Sequence, residues 1–135
     1  MQLRATDYLF DTSVFIAYFR QDQTAHTLLK QASSMSFHIH YSIVTETELW
    51  AGIRANRTEA EHIQLLKPFH RLGINVTIAR YAGDLLRQFG TIKHQNVPSP
   101  IDCLIAATAH YHQLTVLTKN SSDFKLFTSI SCEFF

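Results

Sequence analysis

The residues that follow Ser99 require a helix that is buried on nearly every side. Pro100 can occupy the first helical position, and Ser99 with Asp102 matches the Ser-x-x-acidic capping box. The next residues, CLIAATA, leave almost no polar face for solvent. Such a helix needs a core around it, and a chain of 135 residues with 46% hydrophobic and 17% charged residues can provide one.

Short apolar or alternating segments, typical of strands, alternate with helical segments along the chain. Strands are predicted at residues 7–10, 37–42, 75–78, 115–118 and 130–135. This alternation favours an α/β fold with a mainly parallel central sheet of about five strands flanked by helices. The chain contains no linker or repeat, so we expect a single domain over residues 1–135.

Composition excludes several classes of protein. The net charge is +1, so nucleic acid could be bound only through a local patch. Two cysteines, Cys103 and Cys132, do not form a disulfide scaffold and are expected to be free thiols. The first residues resemble no signal peptide, and no apolar run is long enough to span a membrane, which predicts a cytoplasmic protein without membrane contact.

Acidic residues stand at the ends of the predicted strands. Asp11 ends the first strand, Asp102 opens the buried helix, and the loop from Asn120 to Asp123 follows strand 115–118. Taken singly, each is explained by a helix cap or a turn. Because parallel strands end at one edge of a sheet, where ligands of α/β proteins bind, we expect these acids to converge.

A helix predicted from Ser42 carries two further acids, Glu46 and Glu48. They lie about 200° apart on a helix of 3.6 residues per turn, so only one can face the sheet edge. Glu48 adjoins apolar residues and is the one expected to point inward. Thr45 and Glu48 also match a capping box, which is an ordinary structural alternative.

A cluster of carboxylates is repulsive unless a cation neutralises it. An all-oxygen donor set suits Mg²⁺ or Mn²⁺, which bind through a few carboxylates and retain water ligands. Such an ion can activate a water molecule against a phosphodiester.

Four segments resemble one known family: DTSVFIAYF, TETELWAG, SPIDCLIAATA and LTKNSSDF. Their order and spacing are similar to those of PIN-domain ribonucleases, and more narrowly to the VapC toxins of bacterial type II toxin–antitoxin systems. The resemblance covers nearly the whole chain. It implies a PIN-like three-layer sandwich and metal-dependent endonucleolytic cleavage of RNA.

The resemblance also implies site residues. Asp11, Glu48 and Asp102 match the acids that hold Mg²⁺ or Mn²⁺ in this family. Asn120 stands where many members carry Asp, so Asp123 is our choice for the fourth acid. Leu49 and Gly52 match the E-L-x-x-G element around Glu48. The candidates for supporting polar groups are Thr12, Ser13, Thr118 and Asn120.

Three basic residues are candidates for RNA contacts: Arg54, Lys93 and Lys119. Solvated surface charge is an equally good explanation of them. The resemblance further implies a cognate VapB-type antitoxin, an RNA substrate such as tRNA or rRNA, and a homodimer.

Two other functions compete with the toxin ribonuclease. A receiver-like phospho-acceptor signalling domain also places acids, a Thr and a Lys at strand ends, as in Thr118-Lys119, but here no acidic pair follows the first strand. A non-catalytic PIN-like module that binds RNA or protein would not need the acids Asp11, Glu48 and Asp102.

Overall fold

A computed structural model of the chain describes residues 1–90 and 97–135. Within these residues, five strands form one sheet in the order β3-β2-β1-β4-β5, and every neighbouring pair is parallel. The strands are β1 (Tyr8–Phe10), β2 (Ile39–Ser42), β3 (His70–Leu72), β4 (Thr115–Thr118) and β5 (Cys132–Phe134).

The described residues also form seven α-helices, which connect the strands and cover both faces of the sheet. They are α1 (Thr12–Phe19), α2 (Gln23–Ser34), α3 (Ile43–Ala51), α4 (Glu59–Leu66), α5 (Val76–Phe89), α6 (Pro100–His112) and α7 (Ser121–Phe124). The predicted α/β class with a parallel sheet of about five strands is confirmed.

The central strand β1 divides the core into two halves because its side chains alternate between the faces of the sheet. Leu9 packs in the half that contains α5 and α6, whereas Tyr8 and Phe10 pack in the half that contains α1 and α2. All three are fully buried. The result is a three-layer sandwich of helices, sheet and helices.

Helix α6 forms as the sequence predicts. The Asp102 N–H donates to Ser99 Oγ at 3.1 Å, and the Ser99 N–H donates to Asp102 Oδ2 at 3.4 Å, which completes the capping box. Six of its residues are buried: Cys103, Ile105, Ala106, Ala107, Thr108 and Ala109. Its packing against α5 and the sheet satisfies the requirement for a surrounding core.

The strand predicted at residues 75–78 is wrong. Asn75 caps α5 instead, with its Oδ1 accepting the Ile78 N–H at 2.8 Å. The third strand is β3, at the edge of the sheet, where His70 and Arg71 are exposed. An edge strand with polar, exposed side chains lacks the apolar pattern by which buried strands are recognised.

Other boundaries differ by smaller amounts. Strand β2 is shorter than predicted because residues 36–38 form a single 3₁₀ turn before it. Helix α5 ends at Phe89, and the part predicted to extend it over residues 91–95 lies outside the described residues. The polar loop at residues 120–123 contains the one-turn helix α7.

Both cysteines are free, as predicted, with Cys103 buried and Cys132 partly buried. Among residues 1–90 and 97–135, no helix combines the length and apolar character needed to cross a membrane.

A buried arginine follows α3. Arg57 Nε donates to His62 Nε2 at 2.9 Å, and the guanidinium lies 4.8 Å from the centroid of the Phe19 ring. Gly52 leaves room for this guanidinium, since a Cβ on Gly52 would lie 2.9 Å from Arg57 Nη1. The glycine of the E-L-x-x-G element therefore accommodates a packed side chain here.

Candidate active site

The carboxyl ends of the three interior strands, β1, β2 and β4, lie side by side at one end of the sheet. The acids predicted from sequence lie at this end. Asp11 directly follows β1, and its N–H donates to Leu117 O at 2.9 Å, which extends the pairing of β1 with β4. Glu48 lies on α3, which begins directly after β2, and Asp123 lies on α7 after β4. Asp102 lies in the first turn of α6.

Asp11 is the most buried of these acids, with 4% of its surface exposed. Thr118 Oγ1 donates to Asp11 Oδ2 at 2.8 Å, and the Ser13 N–H donates to the same oxygen at 3.4 Å. Burial raises the pKa of Asp11, while the hydrogen bonds from Ser13 and Thr118 act in the opposite direction. The carboxylate is thus held at a depth where its charge is poorly solvated.

Glu48 is partly buried and is oriented by one strong hydrogen bond. Thr12 Oγ1 donates to Glu48 Oε1 at 2.6 Å. Burial raises the pKa of Glu48, and the negative charge of Asp11 raises it further. Glu46 points elsewhere, since its Oε1 accepts from Tyr41 OH and from Arg71 Nη1, each at 2.9 Å.

The negative charges of neighbouring acids also act on Asp102. Burial is the main cause that raises its pKa to about 6, the charge of Asp11 adds to the rise, and the charge of Asp123 contributes less. Asp123 Oδ2 accepts from Asn120 Nδ2 at 2.7 Å. The charge of Asp11 therefore acts on the ionisation of both Glu48 and Asp102, and the charge of Asp123 acts on that of Asp102.

The supporting polar groups surround Asp11 in a directed network. The Thr118 hydroxyl has a single hydrogen, which is donated to Asp11, so Ser13 Oγ must donate to Thr118 Oγ1 over their 3.2 Å contact. Thr118 Oγ1 also accepts the Asn120 N–H at 2.9 Å. Ser13 Oγ in turn accepts the Lys119 N–H at 2.9 Å.

The donor chemistry of the site fits a hard divalent cation. The groups are carboxylates, and Asp11 raises the pKa of both Glu48 and Asp102, a repulsion that a cation would relieve. In the conformation seen here, no three His, Cys, Asp or Glu residues in the described ranges stand close enough together to hold a metal ion. Side-chain movement would be needed to close the carboxylates around one.

The predicted RNA-contacting residues lie apart from one another. The Lys119 ammonium pairs with the Asp22 carboxylate, where the turn between α1 and α2 approaches the loop after β4. Arg54 lies in the loop after α3 and exchanges two backbone hydrogen bonds with Arg57, at 3.0 and 2.9 Å. Lys93 lies outside the described residues.

One polar contact of the site was not predicted. Thr45 on α3 is fully buried, and its Oγ1 lies 2.9 Å from Thr12 Oγ1. In the sequence, Thr45 and Glu48 matched a capping box, but the helix cap is Ser42, whose Oγ accepts the Val44 N–H at 3.2 Å. The signal was the three-residue spacing of Thr45 and Glu48, which places them on one face of the helix.

A parallel five-stranded sheet with acids along the ends of β1, β2 and β4 defines a class of protein, and comparison with known proteins agrees with it. The family model described as PIN domain matches residues 8–127. The chain is also 33% identical over 127 residues to Ribonuclease VapC10 of Mycobacterium tuberculosis, covering 93% of this chain and 92% of the relative. The chain belongs to the PIN-domain family and, within it, to the VapC ribonucleases, as its motifs predicted.

Solved structures share the same fold. One protein of a toxin–antitoxin complex from Klebsiella pneumoniae is 25% identical, with a TM-score of 0.71 over 92% of this chain and 95% of its own. A chain of VapBC2 from Rickettsia felis, solved bound to a promoter DNA fragment, has a TM-score of 0.76 at 18% identity, covering 96% of this chain and 99% of its own. The predicted PIN-like three-layer sandwich is confirmed.

Proposed function

We propose that this chain, as a single PIN domain over residues 1–135, is the toxin of a VapBC toxin–antitoxin pair and cleaves RNA as a metal-dependent endoribonuclease. The observation that carries the proposal is the placement of four acids where β1, β2 and β4 end and α6 begins, where the charge of Asp11 raises the pKa of both Glu48 and Asp102. Buried carboxylates that repel one another are costly for stability, which favours a role in binding a cation.

Asp11, Glu48 and Asp102 would hold Mg²⁺ or Mn²⁺, which when bound supplies a water of lowered pKa and positive charge against the phosphate. The chain's own residues prepare this arrangement. Thr118 and Ser13 hold the Asp11 carboxylate, and Thr12 holds that of Glu48.

The other two acids, Asp102 and Asp123, are each held by a hydrogen bond from a residue close in sequence. The capping box with Ser99 occupies Asp102 Oδ2 and leaves its other oxygen available to a cation. Asn120 Nδ2 donates to Asp123 Oδ2 and so orients that carboxylate, whose charge acts on Asp102. Asn120 thus contributes as a donor to Asp123 at a position where many family members carry an acid.

RNA is the proposed substrate, with tRNA or rRNA as the classes to test first. Lys119 and Arg54 are the proposed phosphate contacts in the described part of the chain, and Lys119 lies beside the site because its backbone N–H binds Ser13 Oγ. Because RNA and a VapB-type antitoxin are its proposed partners, we propose that the protein lies in the cytoplasm. We also propose that it forms a homodimer. The toxin–antitoxin complexes among its structural neighbours support the antitoxin as a partner.

The order of the strands argues against a receiver domain. Receivers have the order 2-1-3-4-5, whereas this sheet has the order 3-2-1-4-5. The Lys119 ammonium, which would approach the phospho-acceptor in a receiver, pairs instead with Asp22. Neither observation supports acyl phosphate chemistry at Asp11.

The direct test is cleavage of RNA by the purified protein. We expect cleavage with Mn²⁺ or Mg²⁺, loss of cleavage with EDTA, and recovery when the ion is restored. Asp102→Asn should lose cleavage while keeping its far-UV circular dichroism spectrum, because the amide retains the size of the side chain but not its charge.

Asp84→Asn is a matched control, since Asp84 is an exposed acid on α5 that pairs with Arg87. Cleavage by Asp102→Asn at the rate of the unmodified protein would contradict the assignment of Asp102. An unmodified protein that binds RNA but never cuts it would support the non-catalytic module instead. Growth arrest on expression, relieved by co-expression of an antitoxin, tests the toxin role separately.

A further inference from the structure

A chain of hydroxyl groups connects the interior of the protein to Glu48. Thr12 Oγ1 lies 2.6 Å from Glu48 Oε1 and 2.9 Å from Thr45 Oγ1. Thr12 is 3% exposed and Thr45 is fully buried, so water does not compete for either hydroxyl. The contact also joins α1 to α3, since Thr12 opens one helix and Thr45 lies on the other.

The direction of these hydrogen bonds follows from the number of hydrogens. An ionised carboxylate only accepts, so the single hydrogen of the Thr12 hydroxyl is donated to Glu48. Thr12 can then only accept from Thr45, and the order is Thr45 to Thr12 to Glu48. Because Thr45 donates to its oxygen, the Thr12 hydroxyl cannot rotate away without losing a buried hydrogen bond.

We propose that Thr45 is a positioning residue for the Glu48 carboxylate and acts through Thr12. This inference rests on the proposed function, in which Glu48 helps to hold Mg²⁺ or Mn²⁺. Hydrogen bonds around a metal ligand commonly determine affinity for the metal. Thr45 itself touches neither substrate nor metal; it restricts the Thr12 hydroxyl to the orientation that Glu48 uses.

The same arrangement serves Asp11, where Ser13 donates to Thr118 and Thr118 donates to the carboxylate. Thr12 and Ser13 are consecutive residues of α1 and so point in directions about 100° apart. The first turn of one helix thus orients two carboxylates through two separate hydroxyl chains. The parallel between the two chains argues that the contact of Thr45 is more than the satisfaction of a buried hydroxyl.

The test measures Mn²⁺ binding by isothermal titration calorimetry as well as RNA cleavage. Thr45→Val keeps the shape of the side chain and removes the hydroxyl, and we expect it to weaken Mn²⁺ binding by about 3- to 10-fold. Thr45→Ser should restore the affinity of the unmodified protein. Combined with Thr12→Val, which already breaks the chain, Thr45→Val should cause no further loss.

Thr108→Val is the matched control, because Thr108 is a fully buried helical threonine whose hydroxyl donates to Leu104 O at 2.7 Å, away from the acids. It should leave Mn²⁺ affinity unchanged. If Thr45→Val does not fold, Thr45→Ala provides the same comparison.

The outcomes separate the two proposals. Unchanged Mn²⁺ affinity in a folded Thr45→Val variant, or the same loss in Thr45→Ser, would overturn the positioning role while leaving the ribonuclease intact. An unmodified protein that binds no Mn²⁺ and cuts no RNA would instead overturn the proposed function, and the inference about Thr45 with it.

Discussion

Replacing Asp102 with asparagine should stabilise the metal-free protein at neutral pH, although it removes a residue of the site. The reason is the raised pKa of Asp102, about 6 against an ordinary value of 3.8. A folded state with a raised carboxyl pKa binds the proton more tightly than the unfolded chain does. Its favourable contribution is therefore complete below pH 3.8 and is lost as the pH rises through about 6.

The magnitude follows from the size of that rise. At 1.36 kcal/mol per pKa unit, the full difference corresponds to about 3 kcal/mol. Asp102 is partly exposed, and solvent screening reduces the figure to about 1–2 kcal/mol. For a domain of this length, that corresponds to about 3–8 °C in melting temperature.

The assay is thermal unfolding in EDTA, followed by circular dichroism from pH 4 to pH 8. Asp102→Asn should melt above the unmodified protein at pH 7.5, and the difference should disappear as the pH falls through about 6 toward 4. Comparing the two proteins cancels the opposing effect of His40 and His62, whose pKa values are lowered by burial. Saturating Mn²⁺ should reverse the order at pH 7.5, since only the unmodified protein retains all three proposed ligands.

A variant that melts at or below the temperature of the unmodified protein at pH 7.5 in EDTA would refute this reasoning. It would mean that the hydrogen bonds of the capping box stabilise the ionised Asp102 carboxylate by more than burial and the charge of Asp11 together destabilise it. A stabilised variant whose advantage does not change with pH would also contradict it, because the effect would then not arise from ionisation.

Two further substitutions test other parts of the structure. Gly52→Ala should lower the free energy of unfolding, measured in urea, by about 1–3 kcal/mol, because the new Cβ would meet the buried guanidinium of Arg57. Gly73→Ala is the control and should have little effect, because the space around Gly73 is open. An equal loss in the two variants would exclude the clash as the cause. Thr118→Val should weaken RNA cleavage about 10-fold or more, because Asp11 loses its closest donor; cleavage at the original rate would show that Asp11 does not need it.

The sequence predicted four of the five strands in the described residues and missed the exposed edge strand β3, for a physical reason. Strands β1 and β4 are buried on both faces, and they consist of aromatic, aliphatic and β-branched residues that the sequence identifies as strand formers. Strand β3 lies at the edge and carries exposed polar side chains, which no apolar pattern identifies. The strand predicted over residues 75–78 begins with Asn75, whose side chain instead caps α5.

The parts of the candidate site that follow from the order of strands and helices along the chain were predictable. The contacts that form only when helices pack together were not. Asp11, Asp102 and Asp123 could be proposed from sequence because Asp11 follows β1, Asp102 opens α6 and Asp123 closes the loop after β4. The role of Thr45 could not be recognised, since its partner Thr12 is 33 positions away and its spacing to Glu48 equally fits a helix cap. Contacts between elements of this kind arise only when the helices pack.

The strand order has a consequence for when the protein can act during its own synthesis. Strand β1 is made first, but it pairs with β4, and the donor that holds Asp11 lies 107 positions later in the chain. When Asp11 and Glu48 have left the ribosome, neither α6, which contains Asp102, nor Thr118 has yet been made. The amino-terminal half of the chain can begin to fold while the acids remain apart. The proposed site can therefore form only after residues beyond β4 have left the ribosome, because the emerging chain until then lacks the donor that holds Asp11.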